Sequence, residues 1–237
     1  MDVELNNGTL LLKRENSRVP SVIAFVLILL FAVLCVFYLF FGLTYVDGES
    51  MENTIYDEQH VFILKRGYNI ERGDILTFNV STGKEPHELI KRVIAISGDK
   101  IVYIRDKSNT YVDLYLCKSG EKSFRLLEEP YIKERMLYAK FAGFITIKTV
   151  PYIDKQTVEN IDITKENSIS SHEESRQMLL GATIEVPKNH FYFLGDNRNN
   201  SSDSRYYGTR NNSCIRGKLL AILEYGSAAD KFLDFMF

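Results

Sequence analysis

The stretch from Ser21 to Val46, SVIAFVLILLFAVLCVFYLFFGLTYV, runs 26 residues without a charge. A helix of about 20 apolar residues crosses a hydrocarbon layer of ~30 Å, whereas a helix buried in a soluble core is amphipathic or shorter. The run is therefore expected to be a transmembrane helix. A cleavable signal peptide is the competing reading. Its apolar core would be only about 7–15 residues long and would lead into a small-x-small cleavage site. This run is longer, and Thr44-Tyr45-Val46-Asp47-Gly48 offers no such site. An uncleaved anchor fits better. Lys13, Arg14 and Arg18 precede the span, while Asp47, Glu49 and Glu52 follow it. Excess Lys and Arg stay on the cytoplasmic side. Residues 1–20 are thus expected to form a cytoplasmic tail, 21–46 a single-pass anchor in the cell membrane, and 47–237 an extracytoplasmic part.

That outer part reads as mainly β. His60–Lys65, Asp74–Val80, His87–Ser97, Lys100–Arg105 and Thr110–Leu116 are rich in β-branched and aromatic residues, with turns such as Gly73-Asp74 and Gly98-Asp99 between them. Weaker strand signals follow at Phe141–Val150, Thr183–Val186, His190–Leu194 and Lys218–Tyr225. One helix is expected around His172–Leu180, stopped by Gly181. The stretch 106–186 is more polar and charge-mixed, and reads as an inserted subdomain without evident chemistry between two halves of a core, 47–105 and 187–237. The terminal FLDFMF is too short to span a bilayer and reads as a docked tail or a lipid-touching surface. With a net charge of −2 there is no basic excess to recruit nucleic acid. Cys117 and Cys214 are either a disulfide in an oxidising compartment or two free thiols; the sequence leaves both open.

Where the apolar run ends, the chain reads VDGESMENTI, with Ser50 flanked by Glu49 and Met51. By itself this is a polar linker after an anchor. A nucleophilic serine needs a base. None of the four histidines, His60, His87, His172 and His190, has a triad context. A lysine can replace histidine if it is neutral, which requires its pKa to fall from ~10.4 by two or more units. Strand alternation in Leu89-Ile90-Lys91-Arg92-Val93 sets Lys91 between Leu89 and Val93 on one face, an apolar setting that suits a neutral amine. The bland alternative is a charged gatekeeper on an edge strand. A second dense cluster, FYFLGDNRNNSSDSRYYG at 191–208, alternates acids with arginines after a strand and can build a salt-bridged platform. Gly195-Asp196-Asn197 also suggests part of a metallophosphatase site, but the Asp-x-His and Gly-Asn-His partners are missing. Neither metal nor cofactor is expected.

VDGESMENTI, LIKRVIAISGDKI (89–101) and GDNRNNSSDSR (195–205), following an anchor in that order, resemble the blocks of bacterial type I signal peptidases, and Gly73-Asp74-Ile75-Leu76 resembles a further block. The resemblance implies a signal-peptidase-like core of antiparallel sheets with an inserted subdomain. It also implies a membrane-anchored Ser/Lys endopeptidase that removes signal peptides from exported preproteins at the bilayer. By the same resemblance, Ser50 is the nucleophile, Lys91 the general base and Ser201 the residue that orients the lysine. Arg92, Asp196, Asp203 and Arg205 brace the site. Val46, Met51, Ile55 and Ile90 line the substrate pocket. The Ser50 N–H would be an oxyanion donor. Some members add a hydroxyl two residues before the nucleophile, where this chain has Gly48. Asn53 stands where the family usually has proline, and Asn199 replaces a frequent aspartate. The alternative is a membrane-tethered β-domain that binds peptides without cutting; a Ser/His relative would need histidine where Lys91 stands.

Overall fold

The computed structural model describes residues 3–6, 9–12, 19–81, 86–143, 147, 149–164, 173–223 and 226–227. The flanking Lys13, Arg14 and Arg18, His172 and the terminal FLDFMF lie outside the described residues. Residues 1–41 and 42–237 form two compact units.

The first unit holds a short antiparallel pair, β1 (Val3–Asn6) with β2 (Thr9–Leu12), and the helix α1 (Val19–Phe40). Pro20 sits in the first turn, where its missing N–H costs nothing. At 22 residues α1 is about 33 Å long and carries no charge. It is apolar on every side and long and apolar enough to cross a membrane. The apolar run was expected to be helical to Val46, but the helix stops at Phe40 and Phe41–Tyr45 is a strand, β3. Two physical reasons apply. The helix is already long enough at residue 40. Residues 41–46 are also shaped for a sheet edge: a Cβ on Gly42 would lie 2.7 Å from Lys65 Cε and 3.0 Å from Ile63 Cγ1, and Val46 is buried in the core.

The second unit continues with β4 (His60–Leu64), β5 (Ile75–Ser81), β6 (Pro86–Ile96), β7 (Lys100–Arg105), β8 (Tyr111–Cys117), β9 (Arg125–Leu126) and β10 (Met136–Leu137). Two helices follow, α2 (Lys155–Asn160) and α3 (Glu173–Ala182), then β11 (Ile184–Glu185), β12 (His190–Leu194), the single-turn α4 (Ser204–Tyr207), β13 (Arg210–Asn211) and β14 (Ile215–Ile222). The larger sheet runs β13-β12-β6-β5-β14-β4-β3 and the smaller runs β10-β8-β7-β11, with β9 beside β8. The registered pairs in both sheets are antiparallel. Their shared core follows from strand alternation in β6. Ile94 points toward Tyr103, Leu114 and Tyr192 between the sheets, whereas Val93 packs with Leu76, Phe78 and Phe193 on the other face.

Most expected strands lie where the pattern placed them, within a residue or two. The start of Phe141–Val150 does not: Tyr138–Gly143 is a short 3-10 helix, Ile147, Thr149 and Val150 are in no strand, and residues 144–146 and 148 lie outside the described residues. The expected boundary at 106 also falls between β7 and β8, which are neighbours in one sheet. The polar stretch therefore adds strands to a sheet that begins at Lys100. Both Cys117 and Cys214 are free thiols; Cys117 packs with Val102 and Phe124, and Cys214 lies against the Leu76–Phe193 cluster.

Candidate active site

β6 carries the site. Its two ladders meet at Arg92, which pairs with β5 through Ile75↔Arg92 and with β12 through Leu194↔Arg92, while Val93 to Ile96 pair with β12. Pairing to β12 stops there, so Pro86 to Lys91 are bonded to β5 alone. Lys91 stands at this end of the paired region, 3% exposed among apolar neighbours. Its Nζ lies 2.6 Å from Ser50 Oγ and donates to the Ile90 carbonyl at 2.8 Å. Burial pushes the amine down to about 8 from an ordinary 10.5, while the Asp203 and then the Asp196 carboxylates pull it partly back. A lysine of this kind carries a large neutral fraction near pH 8, which a solvated lysine does not.

Ser50 sits in a 3-10 turn, Glu49–Met51, whose Met51 is fully buried. The turn is fixed from both ends. Gly48, at φ 96° and ψ 161°, donates its N–H to Asp57 Oδ1 at 2.7 Å. That backbone region is essentially glycine's alone, so the absence of a hydroxyl at this position is imposed by the chain path. After the turn, Asn53 has φ 80°. Proline is held near −65°, so the residue usual in the family does not fit this backbone, while asparagine tolerates it. The Asn53 exchange therefore comes with a different turn geometry.

The loop after β12 holds the nucleophile's main chain. Asn197 N–H donates to the Ser50 carbonyl at 3.1 Å, and Asn197 Nδ2 donates to the Glu49 carbonyl at 3.2 Å. Gly195 permits this approach, since any Cβ there would overlap the Ser50 carbonyl and Ser201 Oγ. Arg92 forks onto Asp196, Nε to Oδ1 at 2.9 Å and Nη2 to Oδ2 at 2.6 Å, and its Nη1 reaches the Gly73 carbonyl. Thr54 Oγ1 donates to the same Asp196 carboxylate at 2.5 Å. Asp203 and Arg205 form a second fork, both fully buried, and Asp203 Oδ2 accepts the Gly195 N–H at 3.2 Å.

The residues singled out in the sequence thus divide into four groups. Ser50 and Lys91 touch. Arg92, Asp196, Asp203 and Arg205 form the two forks that hold the loop. Ser201 Oγ is shielded from solvent beside Gly195 and makes no hydrogen bond among the described residues; the bond that orients Lys91 goes to the Ile90 carbonyl. Of the four pocket residues, Val46 and Ile90 line a groove of about 590 Å³ that also includes Lys91, Thr77, His87 and Tyr207. Met51 and Ile55 lie beneath it, both at 0% exposure. Asn199 accepts the Leu137 N–H at 2.9 Å and donates to the Arg135 carbonyl at 3.1 Å, a pairing that aspartate could only half make.

Sequence reasoning missed Thr54, which lies three residues past the 3-10 turn, and two residues of the polar stretch, Glu129 and Tyr131. The Tyr131 ring lies under Arg92, 3.9 Å from Cζ to the ring centroid, and Glu129 forms a bidentate ion pair with Arg198. Their distance in sequence from every motif hid them. Among the described residues no group of three or more His, Cys, Asp or Glu is arranged to hold a metal ion. His60 is buried with its ring edge-on to Tyr45, and His190 Nδ1 faces the Lys188 carbonyl; neither adjoins Ser50.

A sequence model of the family described as "Signal peptidase, peptidase S26" matches residues 19–224. The chain is 28% identical over 177 residues to Signal peptidase IB of Staphylococcus aureus (strain Mu50 / ATCC 700699), covering 73% of each. It is 27% identical over 196 residues to Signal peptidase I P of Bacillus subtilis subsp. natto, covering 81% of this chain and 82% of the relative. Among solved structures it is similar to a signal peptidase I from Enterococcus faecalis V583, at 26% identity and a TM-score of 0.34, covering 65% of this chain and 98% of that one. A match that takes in all three sequence blocks and the helix before them has one reading: the chain belongs to the signal peptidases of family S26 and is a serine peptidase whose substrates are preproteins carrying signal peptides.

Proposed function

We propose that cleavage runs through a Ser50–Lys91 dyad held at the outer face of a membrane by α1. The observation that carries this reading is the 2.6 Å contact between the serine hydroxyl and a lysine amine depressed to about 8. When Lys91 is neutral its lone pair accepts the hydroxyl proton as Ser50 Oγ attacks the scissile carbonyl. The resulting ammonium then gives that proton to the leaving amine. Water hydrolyses the acyl-enzyme with the lysine acting as base once more. The Ser50 N–H would be the backbone donor to the developing oxyanion. Because Gly48 cannot supply a hydroxyl, any second donor must come from elsewhere. Ser201 Oγ, without another hydrogen bond among the described residues, is available to orient the amine.

An extended peptide would lie along the unpaired side of β6 at Pro86–Lys91, main chain to main chain, with small side chains entering the groove lined by Val46 and Ile90. Only nine residues separate the end of α1 from Ser50. That tether supports a nucleophile kept near the bilayer surface, where a signal peptide emerges, with the N-terminus cytoplasmic and residues 47–237 outside. The chemistry needs no metal or cofactor. The test is cleavage of a preprotein by wild type, Ser50→Ala and Lys91→Ala in detergent micelles. Both variants should fold and lose all cleavage; full activity in either one would sink the dyad.

A further inference from the structure

We infer that the turn between β9 and β10, through Tyr131 and Glu129, is a positioning clamp for the catalytic pair. The inference rests on the Ser50–Lys91 reading and assigns a role in that reaction to the smaller sheet. Two arginines bound the site, and this turn grips both. Arg92 follows Lys91 directly on β6, and the Tyr131 ring covers its guanidinium at 3.9 Å. Arg198 lies in the loop that binds the Ser50 carbonyl through Asn197. Its Nε donates to the Gly195 carbonyl at 3.1 Å and its two terminal nitrogens fork onto Glu129. Glu129 and Tyr131 are themselves joined, the tyrosine hydroxyl donating to Glu129 Oε1 at 2.7 Å. Burial and then the Glu129 carboxylate push the Tyr131 hydroxyl up, so it remains a donor.

The consequence for the dyad follows atom by atom. The ring confines the guanidinium to one plane, and in that plane Arg92 meets Asp196 with two parallel bonds while a third bond holds Gly73. Asp196 receives Thr54 of the nucleophile turn. Asn197, the next residue, holds the Ser50 carbonyl. Tyr131 thus fixes one side of the Ser50–Lys91 distance through Arg92, and Glu129 fixes the other through Arg198. The carboxylates that act on Lys91 are Asp203 and Asp196, while His87 and Glu88 share its groove. Arg92 offsets the Asp196 charge. Freed from the ring, it would offset that charge less and admit water, and both changes raise the lysine.

The experiment uses the full chain in detergent micelles. Cleavage of a preprotein is followed across pH 6–10 for Tyr131→Leu, Tyr131→Phe and Glu129→Gln, with rates taken per folded enzyme from thermal melts. Tyr131→Leu should lower kcat by roughly 10- to 100-fold, the scale of a misplaced catalytic pair. Its KM should stay near the wild-type value, and the acid limb of the pH profile should move to higher pH. Tyr131→Phe keeps the ring and should restore kcat to within about threefold of wild type. Glu129→Gln keeps the shape, removes the charge, and should lower kcat in the same manner. Wild-type kcat and an unmoved acid limb in Tyr131→Leu would overturn the clamp, as would an equal loss in Tyr131→Phe. Lys91→Ala run alongside separates the two readings: cleavage by that variant would sink the dyad, whereas an unaffected Tyr131→Leu would sink only the clamp.

Discussion

Replacing Lys91 by methionine should stabilise this enzyme at neutral pH while destroying it as a catalyst. Lys91 is 3% exposed, and burial takes its amine from 10.5 to about 8. That gap corresponds to roughly 3 kcal/mol. The sign follows from proton binding. Below pH 8 both folded and unfolded chains hold the proton, and the folded state bears the whole penalty of a buried ammonium. Between about 8 and 10.5 the unfolded chain binds more protons, so wild-type stability rises with pH; above 10.5 the penalty is gone. Methionine keeps the side-chain length and apolar contacts without the charge. It leaves Ser50 Oγ and the Ile90 carbonyl each one bond short, a loss of about 1–2 kcal/mol. The net gain at pH 6.5 is then about 1–2 kcal/mol, or roughly 2–8 °C in Tm for a domain of this size. At pH 10.5 the gain should have vanished and the variant should be the less stable of the two. Thermal melts of both proteins in detergent at the two pH values make the comparison. A variant less stable than wild type at pH 6.5, or a difference that does not change with pH, would refute the burial argument.

Three further outcomes are expected. The pH profile of kcat/KM should show an acid limb near pH 8, falling about tenfold per pH unit below it, because the neutral amine is the reactive form; an unchanged rate down to pH 5 would rule Lys91 out as the base. Gly195→Ala should cut cleavage by about 100-fold or more, since its Cβ would overlap the Ser50 carbonyl, a backbone atom that must move to make room; near-normal kcat would show the loop to be looser than described. Asn53→Pro should lower both stability and activity, by about 3 kcal/mol in stability, because φ 80° is closed to proline. A more stable Asn53→Pro variant would mean that the turn adopts the other backbone.

Much of the site was legible because its chemistry is local. Lys91 between Leu89 and Val93 needed only strand alternation, and the crowding of acids and arginines at 196–205 needed only the chain's own order. The failures have a common cause. At the start of Phe141–Val150 the chain is a 3-10 helix rather than a strand, because β-propensity expresses packing against a neighbouring strand and none of the described strands pairs with residues 141–143. Apolar character also does not distinguish a groove wall, such as Val46 or Ile90, from the core beneath it, such as Met51 or Ile55. Ser201 and Lys91 were paired by resemblance, and the bond to the Ile90 carbonyl depends on rotamers that no spacing encodes.

By itself, the sequence determined a charge-free run long enough to cross a bilayer, an outer chain of short antiparallel-prone strands, and three separated blocks holding a serine, a lysine and a salt-bridged loop. Each of these depends on composition or on the period of a single element. Only the tertiary structure decided where the helix ends, how far the lysine is desolvated, that Gly195 lets two loops close on the Ser50 carbonyl, and that Tyr131 and Glu129 reach back to the two arginines. Burial, close approach and ion pairing arise between residues tens of positions apart, and their energies exist only once the sheets have packed.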